Sequence, residues 1–167
     1  DAEQRRAADP AASVWVAASA GTGKTHVLTN RVLRLLLDGT PPEKLLCLTY
    51  TRAAAAEMVS RLSRQLAGWA VLADDELSAD LARLLGRIAG ADETVRARQL
   101  FALVLDAPGG MKIQTIHSFC QSLLGRFPIE AGVAPHFDLM DDRTASEPRA
   151  ALLLDLLAEA GRPGREP

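Results

Sequence analysis

Hydrophobic positions along this chain alternate between short continuous runs and helical spacing. The run Val14-Trp15-Val16-Ala17-Ala18, bounded by Ser13 and a glycine-bearing loop at residues 19–23, predicts a buried strand. After the loop, Val27, Leu28, Val32, Leu35 and Leu36 recur at helical spacing with Asn30, Arg31 and Arg34 between them, and Asp38-Gly39 supplies the stop. Pro41-Pro42 begins a turn. Leu45-Leu46-Cys47-Leu48-Thr49-Tyr50 reads as a second strand, followed by a helix whose Met58, Leu62, Leu66 and Trp69 share one face while Glu57 and Arg61 pair one turn apart on another. Strand, helix, strand, helix predicts a parallel sheet.

The middle of the chain changes character. Residues 73–106 hold seven acids and four arginines, with leucine-rich helical periodicity on both sides of Gly90. This stretch reads as a helical insertion at 71–110, dividing an α/β domain that occupies 1–70 and resumes at 111–130. Lys112-Ile113-Gln114-Thr115 predicts a return to the sheet, and residues 116–126 a helix with Phe119, Leu123 and Phe127 on one face. Residues 131–167 are expected to be the start of a further insertion or a tail. The chain begins at Asp1 and its last seven residues offer nothing to pack, so it is expected to be a piece of something longer, an incomplete domain.

Composition narrows the class. With 48% hydrophobic and 24% charged residues, the 167-residue chain suits one soluble domain's core. Nineteen Lys+Arg against twenty-one Asp+Glu exclude a broadly basic surface, so any affinity for nucleic acid has to be local. Cys47 and Cys120 lie far apart inside apolar runs and read as small hydrophobes rather than as a disulfide or zinc framework. A reducing, cytoplasmic setting is expected, and no apolar stretch approaches the roughly 18 residues of a membrane span.

The densest chemistry lies at Ala18-Ser19-Ala20-Gly21-Thr22-Gly23-Lys24-Thr25, which fits the phosphate loop G-x-x-x-x-G-K-[ST] with Ala18 in place of the first glycine. Gly21 and Gly23 admit backbone angles that turn successive N–H groups toward one anion, and the positive end of the following helix adds to the same point. Lys24 would reach the β- and γ-phosphates of ATP, and Thr25 would place its hydroxyl on Mg²⁺. A glycine-rich turn that binds nothing is the bland alternative. The run ending in Asp106 imitates a strand with a metal-binding acid, but residues 94–105 carry Arg96, Arg98 and Gln99 without a break, as one helix would.

These segments resemble the UvrD/Rep-type superfamily 1 DNA helicases. Gln4-Arg5, twenty residues ahead of Lys24, is similar to the family's Q motif, whose glutamine reads the adenine edge. Alanine at the head of the phosphate loop is the family's own variant. The segment from Leu48 through Thr49, Tyr50, Thr51 and Arg52 to Met58 resembles motif Ia, although Arg52 and Ala53 stand where the family often has Asn and Lys. Gln114-Thr115-Ile116-His117-Ser118-Phe119 resembles the family's single-strand-binding T-x-H-S motif. Within the family the likeness is to the AddA type, in its alphaproteobacterial form. It rests on LLCLTYTRAAAAEM at 45–58, Trp69, PGGMKIQTIHSFC at 108–120 and FPIEAGVAPHFDLMDD at 127–142, and it fades from Glu147 onward.

The resemblance implies a RecA-like ATP-binding domain with a helical insertion. It also implies ATP-driven 3′→5′ tracking on single-stranded DNA, action at double-stranded ends in break repair and recombination, an AddB-type partner, and a helicase–nuclease as the whole protein. Thr49, Thr51, Thr115 and Ser118 would offer hydroxyls to phosphates, Tyr50 and Phe119 stacking faces, and Arg52 and His117 further contacts. Taken without the family, Gln4 reads more readily as a solvated polar residue, Tyr50 and Phe119 as core aromatics, and His117 as a structural histidine. The D-E-x-Q motif, nucleotide-sensing arginines and nuclease carboxylates have no counterpart, so the isolated chain is expected to be inactive. Two other classes stay open: a P-loop kinase or other nucleotide hydrolase, and a non-catalytic nucleotide- or DNA-binding stub.

Overall fold

The structure is a computed structural model that describes residues 2–17, 19, 21, 23–137 and 146–160. In chain order the elements are α1 (Ala2–Ala7), α2 (Lys24–Leu37), a 3-10 turn at Pro42–Lys44, β1 (Leu46–Thr49), α3 (Arg52–Val71), α4 (Asp74–Leu85), α5 (Ala91–Asp106), β2 (Lys112–Thr115), α6 (Ile116–Arg126) and α7 (Ser146–Ala160). The chain forms two compact units, 1–120 and 121–167.

In the first unit β1 and β2 pair in parallel, with Leu46 opposite Lys112, Cys47 opposite Ile113, Leu48 opposite Gln114 and Thr49 opposite Thr115. A parallel pair needs a long crossover, here α3, α4 and α5. The helical periodicity of α3 is realised: Met58, Leu62, Leu66 and Trp69 are all buried, against Leu77 and Leu81 of α4, Ala97 and Leu100 of α5, and Val32, Leu33, Leu36 and Leu37 of α2. Each such leucine withdrawn from water stabilises the unit by about 1.5–3 kcal/mol. Polar groups fasten the same helices. Asp80 accepts from Trp69 Nε1 at 2.7 Å and Gln65 Nε2 at 2.6 Å. Arg96 Nε donates to the Leu36 carbonyl at 2.7 Å, and Arg98 to that of Leu72 at 2.9 Å. Glu57 and Arg61 pair on the outer face at 2.5 Å, as their spacing predicts.

The turn between α4 and α5 is held by Glu93. Its carboxylate accepts from Arg87 at 2.6 and 2.8 Å and from the Gly90 N–H at 2.7 Å. The Arg87 guanidinium, with that N–H, lowers the Glu93 carboxyl to about 2. Asp106 is the exposed last residue of α5, a helix end rather than a strand end.

Two expectations need correction. The predicted strand at 14–18 does not form over its described residues: 13–17 lie in no regular element, Val14 and Val16 are over 40% exposed and Trp15 is 92% exposed. Apolar residues make a buried strand only when a neighbouring strand takes up their N–H and C=O groups, and among the described residues the sheet contains β1 and β2 alone. Ala18 lies outside the described residues. Cys120, expected as a small buried hydrophobe, is exposed on α6, whereas Cys47 is buried in β1 and its thiol is pushed up by that burial. Tyr50, for which a core place was the bland alternative to a stacking face, follows β1 and is 81% exposed.

In the second unit, Leu123, Leu124 and Phe127 line a small apolar cleft with Glu130 and Ala131. Leucines 152, 153, 154, 156 and 157 of α7 are all more than half exposed. No helix among the described residues is long and apolar enough to cross a membrane.

Candidate nucleotide and nucleic-acid site

The glycines of the phosphate loop adopt the conformations their positions require. Gly21 has φ 82° and Gly23 φ 88°, both in the left-handed region that a Cβ opposes. Gly23 is the N-cap of α2, so the first N–H groups of that helix have no intrahelical acceptor and open toward the loop. Lys24 is the first residue of α2, and its Nζ donates to the Ser19 carbonyl at 2.5 Å, which carries the ammonium back over the loop. Thr25 follows, exposed, its carbonyl accepting the Thr29 hydroxyl at 2.8 Å. Ala20 and Thr22, like Ala18, lie outside the described residues.

Gln4, half-buried on α1, comes to this loop from a distance of twenty residues. Its Nε2 lies 3.6 Å from where a Cβ on Gly23 would stand. Gln4 and Lys24 line one open cleft of about 500 Å³, with Glu3, Arg6 and Ala7 of α1, residues 14–17, and Val27 of α2. The lining thus brings an amide and apolar side chains together with an ammonium, and the amide lies beside Gly23, the N-cap of α2. A cleft with this lining has room and chemistry for a molecule with an apolar part and an anionic tail, and the glycines leave space beside the helix N-terminus. For a divalent cation, the described residues contain no cluster of three or more His, Cys, Asp or Glu placed to hold one. Thr25 Oγ1 is the hydroxyl beside the loop that could serve as a ligand.

The two parallel strands end together. Thr51 is the N-cap of α3, its hydroxyl accepting from the Ala54 N–H at 3.1 Å. Thr115 does the same for α6, accepting from the Ser118 N–H at 3.1 Å and contacting the Ser118 hydroxyl at 2.9 Å. Thr49 Oγ1 lies 3.0 Å from the Thr51 carbonyl and 3.4 Å from that of Gln114, tying the two strand ends together. Register places the two helix N-termini next to each other, so their outward N–H groups form one edge. Tyr50, Thr51, Arg52 and His117 are exposed on it, Phe119 and Ser118 are partly covered, and Thr115 is buried.

Two residues that the sequence pattern passed over as polar spacers prove to organise this region. Arg31 donates to the carbonyls of Asp9 and Ala12, at 2.5 and 2.7 Å, and Arg34 to that of Arg5 at 2.9 Å. Their one sequence signal is the i,i+3 placement of basic side chains beside the apolar stripe of α2.

The chain matches the family model of the UvrD/REP helicase N-terminal domain over residues 1–162. It is 34% identical over 139 residues to the AddA subunit of the ATP-dependent helicase/nuclease of Lactobacillus gasseri, covering 83% of this chain and 10% of that protein. The protein of the same name from Pelotomaculum thermopropionicum is 36% identical over 143 residues, 84% of this chain and 9% of the relative. That from Desulforamulus reducens is 36% identical over 151 residues, 88% of this chain and 10% of the relative. The chain therefore spans about a tenth of the length of the curated relatives it matches.

Proposed function

Since the chain belongs to the UvrD/REP helicase N-terminal domain family, we propose that it is the nucleotide-binding front of an ATP-dependent DNA motor with a RecA-like P-loop domain. The observation that carries this reading is that Gln4 and Lys24 line one cleft while the Gln4 amide lies against Gly23 of the phosphate loop. Gln4 would pair its amide donor and acceptor with the adenine edge. The N–H groups around Gly21 and Gly23, with the start of α2, would receive the phosphates, and the Lys24 ammonium would balance the β/γ charge. The Thr25 hydroxyl would be this chain's ligand for Mg²⁺, which when bound would supply charge neutralisation to the phosphates. Acids that complete the hydrolytic site would come from elsewhere in the full-length protein.

The edge formed by the N-termini of α3 and α6 is the proposed single-strand track. Thr49, Thr115 and Ser118 shape it, Thr51, Arg52 and His117 face phosphates, and Tyr50 and Phe119 give stacking surface. ATP-driven 3′→5′ movement along that strand, from double-stranded ends, as the helicase–nuclease of break repair with an AddB-type partner, is the whole-protein activity this reading supports. The relatives from L. gasseri, P. thermopropionicum and D. reducens all carry the helicase/nuclease name. Lys24→Ala in the full-length protein tests it. DNA-stimulated ATP hydrolysis and unwinding should both disappear while circular dichroism stays unchanged. Normal turnover in that variant would remove the P-loop assignment.

A further inference from the structure

We propose that Arg31 and Arg34 are positioning residues for base selection: they hold α1 at the distance from α2 at which Gln4 faces the phosphate loop. This rests on the nucleotide reading above, and it concerns residues that touch neither base nor phosphate.

α1 has six residues and buries none of them, so neither helix length nor a core of its own holds it in place. Beside the burial of Ala8 directly after it, what holds α1 is polar. Arg31 forks across the turn that follows α1, one arm on the Asp9 carbonyl and the other on that of Ala12. Arg34, one helical turn later, reaches the carbonyl of Arg5, the residue next to Gln4, and its other arm lies 4.0 Å from Asp9 Oδ1. The acceptors are backbone carbonyls, so these bonds fix the path of the chain and not the identity of its side chains. Charge-assisted bonds of this kind are among the stronger ones, and the planar guanidinium can bridge two carbonyls where an ammonium cannot hold the same geometry. Arg31 and Arg34 lie on the helix that begins at Lys24, so the helix that carries the lysine also holds the segment that carries Gln4. On its far side α1 is backed by the Arg5 side chain, whose Cδ is 3.1 Å from where a Cβ on Gly86 would stand.

A hydrogen-bonded base reader discriminates only when its distance is right, because a misplaced amide leaves both adenine and guanine to bind through their phosphates alone. The chain's own contribution to selectivity is therefore expected to depend on these two arginines, while phosphate affinity depends on Lys24.

The experiment is competition of ATP and GTP against a fluorescent ATP analogue, on the full-length protein carrying this chain, with Arg31→Gln, Arg34→Gln, the double variant and Arg31→Lys. The GTP/ATP ratio of dissociation constants should fall about threefold in each single variant and about tenfold in the double one, with Arg31→Lys between wild type and Arg31→Gln. Adding Gln4→Ala to the double variant should cause no further fall, since all three residues act through one contact. The ratio is internal to each preparation, so partial unfolding does not move it. Equal weakening of ATP and GTP in the arginine variants, with the ratio intact, would overturn the inference while leaving the P-loop reading in place. Lys24→Ala binding ATP as wild type does would instead remove the reading beneath it.

Discussion

Thr49 and Thr115 face each other as the last residues of two parallel strands. Each strand leads into a helix capped by a threonine hydroxyl, Thr51 for α3 and Thr115 itself for α6. The repetition means that hydroxyls read as DNA ligands also close helix ends, and the two roles separate by which atom is occupied. Thr51 and Thr115 accept through oxygen from an N–H; Arg52 at the first position of α3 and His117 at the second of α6 are exposed.

Removing the Thr51 hydroxyl should therefore cost stability whatever happens to DNA. Thr51→Ala is expected to lower the unfolding free energy by about 1 kcal/mol, the usual worth of an N-cap, measured by urea denaturation. Thr51→Ser should recover most of it. Equal midpoints for wild type and Thr51→Ala would mean that the cap contributes nothing.

His117→Ala gives the cleaner test of the strand track, because its ring has no capping duty. In the full-length protein it should weaken single-stranded DNA binding about equally for poly-pyrimidine and mixed sequences, as contacts to phosphate carry no base information. ATP affinity without DNA should not change. Fluorescence anisotropy at two salt concentrations reads both the loss and a shallow salt dependence, expected because the chain is net acidic and its contacts are few. Undiminished DNA affinity would return His117 to a structural role.

Acid should loosen the α4–α5 turn before it unfolds the core. The folded pKa of Glu93 is lowered to about 2 by Arg87 and the Gly90 N–H, from an ordinary value of 4.5. A lowered carboxyl stabilises the fold fully above its unfolded pKa, and that contribution fades as pH falls from about 4.5 toward 2. Glu93→Gln should therefore flatten part of the fall in melting temperature over that window, while being less stable than wild type at pH 7. Parallel melting-temperature curves for the two proteins down to pH 3 would exclude this role.

The core is expected to respond to volume. Leu62→Ala removes a fully buried side chain at the meeting of α2, α3 and α5 and should cost about 2–5 kcal/mol. Asp80→Ala, which leaves the buried indole N–H of Trp69 without its acceptor, should cost about 1–3 kcal/mol. Guanidinium denaturation with near-UV circular dichroism of Trp69 follows both. A smaller loss for Leu62→Ala than for Asp80→Ala would show that the core has collapsed around the cavity.

Local chemistry was legible in the amino-acid order because it depends on neighbours in the chain. The periodicity of Met58, Leu62, Leu66 and Trp69 marked the buried face of α3, and Asp38-Gly39 marked the end of α2. The glycines at 21 and 23 announced their left-handed backbone, since only a residue without Cβ takes it freely. Long-range geometry was not legible in the same way. That Thr49 stands opposite Thr115 depends on how three intervening helices pack, and that Gln4 meets Gly23 depends on two arginines whose spacing looked like an ordinary solvated face. The run at 14–17 shows the limit most directly. Its residue types call for burial in a sheet, but a strand is a relation between two chain segments, and with no hydrogen-bonding neighbour among the described residues its apolar side chains, Trp15 above all, are exposed.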